Sequence, residues 1–178
     1  MDESMIELPE YARIVRNLST GEHSYLQVLP RVQESPAIGR IATAATPIEW
    51  LLAHARVQIK PGKGFIWVDD ETPAIVLIER YYRQGGALDL YLDLLHELTH
   101  LRQLAEGHSL WVENLAYVDR PTEIEGYAVA VEEGLRLGMT RDDILRHLAN
   151  SWMTRADVQR ILEHIVRFLG NGDLSSLQ

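Results

Sequence analysis

The chain has 178 residues, 46% of them apolar and 24% charged, with a net charge of −9 and no cysteine. That balance is ordinary for a globular protein, and the length suits one domain with a sizeable core. The acidic surplus and the lack of a basic run argue against nucleic acid and anionic membranes as partners, and the missing cysteines exclude disulfides and thiolate metal ligands.

Residues 1–7 are acidic and lack the basic and apolar regions of a signal peptide. No apolar stretch reaches the ~18 residues that span a bilayer. Residues 88–95 come nearest but carry Asp89 and Asp93. The expectation is a cytoplasmic protein.

Residues 1–8 read as a loose end, and 9–18 as a short helix closed by Ser19-Thr20-Gly21. Pro30 and Pro36 break any long element in 22–46, which the sequence leaves unassigned. Pro47 suits the first position of a helix, and Ile48, Leu51, Leu52 and Ala55 give it an apolar stripe through about residue 56. Three strands follow, at 57–59, 65–68 and 74–78, the last a β-branched run buried on both faces. Gly85-Gly86 precedes a long helix over 88–105 that stops at Gly107. After an irregular stretch, Thr122 opens a helix to about 138, with Glu125 completing a capping box. Thr140 with Asp143, and Thr154 with Asp157, begin two more helices, and residues 171–178 fray.

These elements predict an α+β fold, mainly helical. A small sheet of about three strands packs on the long helix, with helices at the C-terminal end. One domain covers 1–178, with a core of about 48–138, a helical N-terminal extension over 1–47 and C-terminal helices over 139–170. The extension either covers a cleft or completes the core, and Trp50, Leu51 and Leu52 favour completion.

The long helix carries His96-Glu97-Leu98-Thr99-His100. Residues four apart share a helix face, so two imidazoles can converge on one ion at roughly 2.0–2.1 Å. Glu97, rotated about 100° from His96, can reach a water on the same ion. Residue frequencies alone give such a pattern in roughly one chain of this kind in forty. Context adds weight, because leucines cover nearly every face of the helix and a buried histidine pair needs compensation for lost solvation. The alternative is a pair of core histidines satisfied by hydrogen bonds.

A catalytic zinc site has three protein ligands. One known arrangement places Gly seven and His ten residues after the first His. Here those positions are Gln103 and Glu106, on a helix that continues to Gly107. Glu123 and Glu125 on the next helix are better placed, and lie about 200° apart, so one faces the ion. Glu125 has a capping duty, which leaves Glu123 as the expected ligand and Glu125 as the alternative. Zinc is the expected metal, although two histidines and a carboxylate also suit iron or manganese. Gln103 and Asp93 are candidates for orienting a ligand.

His96-Glu97-x-x-His100 followed by a helix-borne Glu resembles the gluzincin branch of the zincin metallopeptidases. The order of helix, small sheet, motif helix and second helix is similar to the minimal zincin core. Thr122-Glu123-Ile124-Glu125-Gly126-Tyr127-Ala128 resembles the E-x-E-A-N segment of ImmA/IrrE-type peptidases, departing from it at Gly126 and Tyr127. Thr122 and Tyr127 also depart from the thermolysin pattern, which has Asn before the ligand and Asp four residues after it. The likeness covers about 57–138. It implies a peptidase with one Zn²⁺ per chain that polarises water and the scissile carbonyl, with Glu97 as general base and then proton donor to the leaving amine. It also implies a peptide or protein substrate added as an extra strand along a sheet edge at 74–79. Tyr117, Tyr127, His108 and His147 are candidates for stabilising charge in the transition state. Two rival readings are an inactive zincin-like regulatory protein with a structural metal, and a metal-free helical interaction protein.

Overall fold

The computed structural model describes residues 6–170 and Leu177. Most of the expected loose start, residues 1–5, and of the frayed end, 171–176 and 178, lies outside them. Ile6 and Leu8 are instead half-buried against the core, and Leu177 is buried.

The fold is α+β, with eight α-helices and a four-stranded mixed sheet among the described residues. In chain order the elements are β1 (Gly21–Ser24), α1 (Tyr25–Val28), α2 (Ile38–Ile41), α3 (Ile48–His54), β2 (Arg56–Lys60), β3 (Ile66–Asp69), β4 (Ala74–Ile78), α4 (Glu79–Gln84), α5 (Ala87–Ala105), α6 (Pro121–Arg136), α7 (Arg141–Leu148) and α8 (Arg155–Leu169). No helix among them is long and apolar enough to cross a membrane.

The sheet order is β1-β2-β4-β3, with β2 and β4 parallel and both outer pairs antiparallel. The expected small sheet is present with four strands, because β1, mostly from the stretch left unassigned, pairs Glu22 with Gln58. One expectation is corrected here. The sheet edge facing α5 is β3 and not the strand at 74–79. β4 is enclosed by β3 on one side and by β2, through Val57 to Ile75, on the other. All five residues of β4 are buried, as its apolar run predicts.

The expected helix over 9–18 shrinks to one 3₁₀ turn, Glu10–Ala12. Beyond it the backbone finds partners on α4 instead of within itself. The Tyr82 hydroxyl donates to the Val15 carbonyl and accepts from Leu18 N–H at 3.2 Å. Arg83 donates to the carbonyls of Arg16 and Leu18 at 2.6 and 2.8 Å. The rest of the N-terminal part completes the core: Tyr25, Leu29 and Ile41 are fully buried, and the Tyr25 hydroxyl donates to the Leu94 carbonyl on α5 at 2.9 Å.

Helix α5 lies at the centre, against β3 and β4 on one side and α6 on the other. Leu90, Leu92, Leu94, Leu95 and Leu98 all have no exposed surface. Truncating Leu98 to Ala removes buried methyl groups and leaves a cavity, at a cost of about 2–5 kcal/mol. Equilibrium denaturant unfolding is expected to show that loss.

Candidate metal centre

His96 and His100 project from adjacent turns of α5, and Glu123 meets them from the first turn of α6. Glu123 Oε2 lies 3.3 Å from His96 Nε2 and 3.4 Å from His100 Nε2. All three side chains are buried, and their donor atoms lie within 4.8 Å of one another. The 3.3 and 3.4 Å spacings exceed the usual N–H···O range. Two donors at 2.0–2.1 Å from one tetrahedral ion stand about 3.3–3.4 Å apart, so the spacing suits a shared ion. Glu123 Oε2 and His96 Nδ1 make no hydrogen bond within the protein. Two imidazoles and a carboxylate form a donor set for zinc, iron or manganese.

Glu123 takes the place expected for the third ligand, but the expected reason is corrected. Helix α6 starts at Pro121 with Arg120 as N-cap, and no side chain caps it. Proline supplies the fixed φ of a first helical position, so Thr122 falls inside the helix and no capping box forms. Glu125 accepts from Gln103 Nε2 at 2.6 Å and pairs with Arg102. Glu106 is likewise engaged with Arg102, at 2.8 Å.

Gly126, a departure from the resembled segment, has a local reason. A Cβ there would stand 3.1 Å from His96 Cε1 and Nδ1. The bare backbone of α6 therefore lets α5 approach, and the His96 ring packs directly on it. Its aromatic contacts are edge-on with His100 and Tyr127, at centroid distances of 4.5 and 4.2 Å.

Electrostatics follow from burial. Burial and the neighbouring charge of His100 push His96 down to about 4. Burial, the largest single influence, would lower His100 too. The adjacent Glu123 carboxylate, the charge of Glu97 and the Gln103 hydrogen bond outweigh it and raise His100 to about 9. Burial opposes ionisation of Glu123, yet the two imidazoles hold it well below the usual carboxylate range. Glu97 is pushed up to about 8, chiefly by burial, with Glu123 and Asp93 adding to the rise and the His100 charge and the Val68 backbone opposing it. Its Oε2 is buried without a hydrogen bond.

Glu97 and His96 line a cleft of about 1310 Å³ that also takes in Asp93, Tyr117, Tyr127 and His147. The hydroxyls of Tyr117 and Tyr127 lie 3.1 Å apart, and Asn150 Nδ2 donates to Tyr127 at 3.0 Å. His147 on α7 has Nδ1 at 3.1 Å from Asp89 Oδ1 and a buried Nε2 with no hydrogen bond. Burial would lower its pKa, but the Asp89 hydrogen bond and the charges of Asp93 and Asp89 raise it. Asp93, expected to orient a ligand, bonds the Tyr81 hydroxyl instead. His108 is exposed near Glu106, outside the cleft lining. Sequence reasoning missed Asp89 and Asn150. A signal for Asp89 existed, because Asp89, Asp93 and Glu97 recur every four residues along one face of α5.

Comparison with known protein families, with curated proteins and with solved structures finds no match to this chain.

Two outcomes follow from this geometry. The His96 ring is hemmed in by Tyr127 and His100 and cannot retreat, so Gly126→Ala is expected to weaken metal binding about tenfold, read by chelator competition. Because His100 keeps its proton up to about pH 9, an ion must displace it. Metal uptake at pH 7.5 is expected to release at least about one proton, a release that fades above pH 9, measured by calorimetry in buffers of differing ionisation enthalpy.

Proposed function

We propose that this chain is a zinc-dependent peptidase that binds its substrate in extended form. The observation that carries the reading is the convergence of His96, His100 and Glu123 on one point, with Glu97, whose Oε2 makes no hydrogen bond, beside them in the cleft. Zinc held by those three residues would supply Lewis acidity toward the scissile carbonyl and the attacking water. Glu97 takes the proton that the water loses and passes it to the leaving nitrogen. One O–H and the C–N bond break, one C–O and one N–H bond form, and Glu97 ends as it began.

The outer edge of β3 offers unpaired backbone groups to a peptide strand, and Phe65 and Ile66 at its start line the cleft. Among the candidates for stabilising charge on the carbonyl oxygen, His147 fits best. Its Nε2 is buried and free of hydrogen bonds, while Asp89 fixes the opposite side of the ring. The hydroxyls of Tyr117 and Tyr127 already engage each other. A cysteine-free chain is compatible with work in the cytoplasm.

Glu97→Gln is expected to lower cleavage at least about 100-fold while the metal stays bound, and Glu123→Ala to lose the metal. Metal content by mass spectrometry beside cleavage of a mixed peptide library checks both. Retained hydrolysis in Glu97→Gln would sink the mechanism.

A further inference from the structure

Behind His100, outside the cleft lining, runs a chain of polar side chains. His100 Nδ1 lies 2.8 Å from Gln103 Oε1. Gln103 Nε2 donates to the Thr122 carbonyl at 3.1 Å and to Glu125 Oε2 at 2.6 Å. Both amide hydrogens are thereby used, so the amide oxygen can only accept, and His100 must carry a proton on Nδ1. Nε2 is then the nitrogen that faces Glu123, and it offers its lone pair once an ion displaces the proton it carries.

Glu125 is held in turn. Its other oxygen pairs with Arg102, which is 4% exposed and also donates to Glu106 Oε2 at 2.8 Å. Glu106 accepts from the Thr43 hydroxyl, and Thr43 Oγ1 accepts from Thr46 N–H at 3.0 Å. The chain therefore ties together the segment after α2, the last turns of α5 and the start of α6. The Arg102–Glu125 link in it is an ion pair, and the others are hydrogen bonds.

We propose that Gln103, Glu125 and Arg102 are positioning residues of the metal centre. Arg102 holds Glu125, Glu125 holds the Gln103 amide in the one orientation that accepts from His100, and His100 is thereby locked in its metal-binding tautomer. The carboxylate two residues beyond Glu123 is an orienting group and not a ligand. Its charge polarises the Gln103 amide and makes the amide oxygen a stronger acceptor, which makes the opposite nitrogen of His100 more basic. The proposal rests on the metal-binding part of the reading above and not on hydrolysis.

The test uses the full chain and titrates Zn²⁺ and Co²⁺ against a chromophoric chelator. Gln103→Leu is expected to weaken affinity about 10–100-fold, and the gentler Glu125→Gln about tenfold. Both variants are expected to keep one ion per chain and the visible Co²⁺ bands of the wild type, because the ligand set is unchanged. In the zinc-loaded wild type the His100 Nδ1 proton should exchange slowly with water by NMR, and in Gln103→Leu rapidly. Affinity of folded Gln103→Leu within about twofold of wild type would overturn the proposal. So would altered Co²⁺ bands in Glu125→Gln, which would make Glu125 a ligand. A wild-type chain that takes up neither ion overturns the metal reading itself, whereas a wild type that binds and variants that bind equally well overturn only the positioning roles.

Discussion

Glu123 sits in the interior facing two imidazoles, and everything around the site has to make that burial tolerable. A carboxylate removed from water costs several kcal/mol unless partners replace its solvation, and removing one partner of such a group typically costs about 3–5 kcal/mol. The partners must therefore stay put. They do so because α5 is wrapped in leucine on nearly every side, so it cannot turn or slide without opening the core. Gly126 brings the backbone of α6 against His96, and Tyr127 closes the ring from its edge. Site geometry here is a by-product of core packing, and polar bonds refine it.

The parts of the molecule that were legible in the sequence are those set by local spacing. The four-residue interval of the two histidines, the capping boxes at Thr140 and Thr154, and the left-handed glycine that stops α5 all act within one or two helical turns. The parts that were not legible depend on distant partners. Residues 13–18 have a helical pattern, yet they form no helix because Tyr82 and Arg83, more than sixty positions away, take up their backbone groups. The true sheet edge was hidden for the same reason, since β2 and β4 pair in parallel across the intervening β3. Glu123 was identified through a capping role that Glu125 does not have. The asymmetry between the two acids is real, but it comes from Arg102 and Gln103 pulling Glu125 aside.

The pKa directions share one origin. Burial disfavours charge on every group, and the close approach of acid to imidazole restores it selectively, at Glu123 and His100 but not at His96 or Glu97. A cation at the same point would act on all four at once, favouring neutral imidazoles and an ionised Glu97. The protein alone is thus arranged so that one bound charge sets the protonation of the whole group.

His147 and Trp152 come from α7 and the loop beyond it, whereas the three candidate ligands come from α5 and α6. The candidate ligands and this part of the cleft wall therefore come from separate stretches of chain, while Asp93 and Glu97 of α5 and Tyr127 of α6 complete the lining. Substitutions at His147, Asn150 or Trp152 would alter that wall directly, and would reach His96, His100 and Glu123 only through the packing of α7 and α8 on α6.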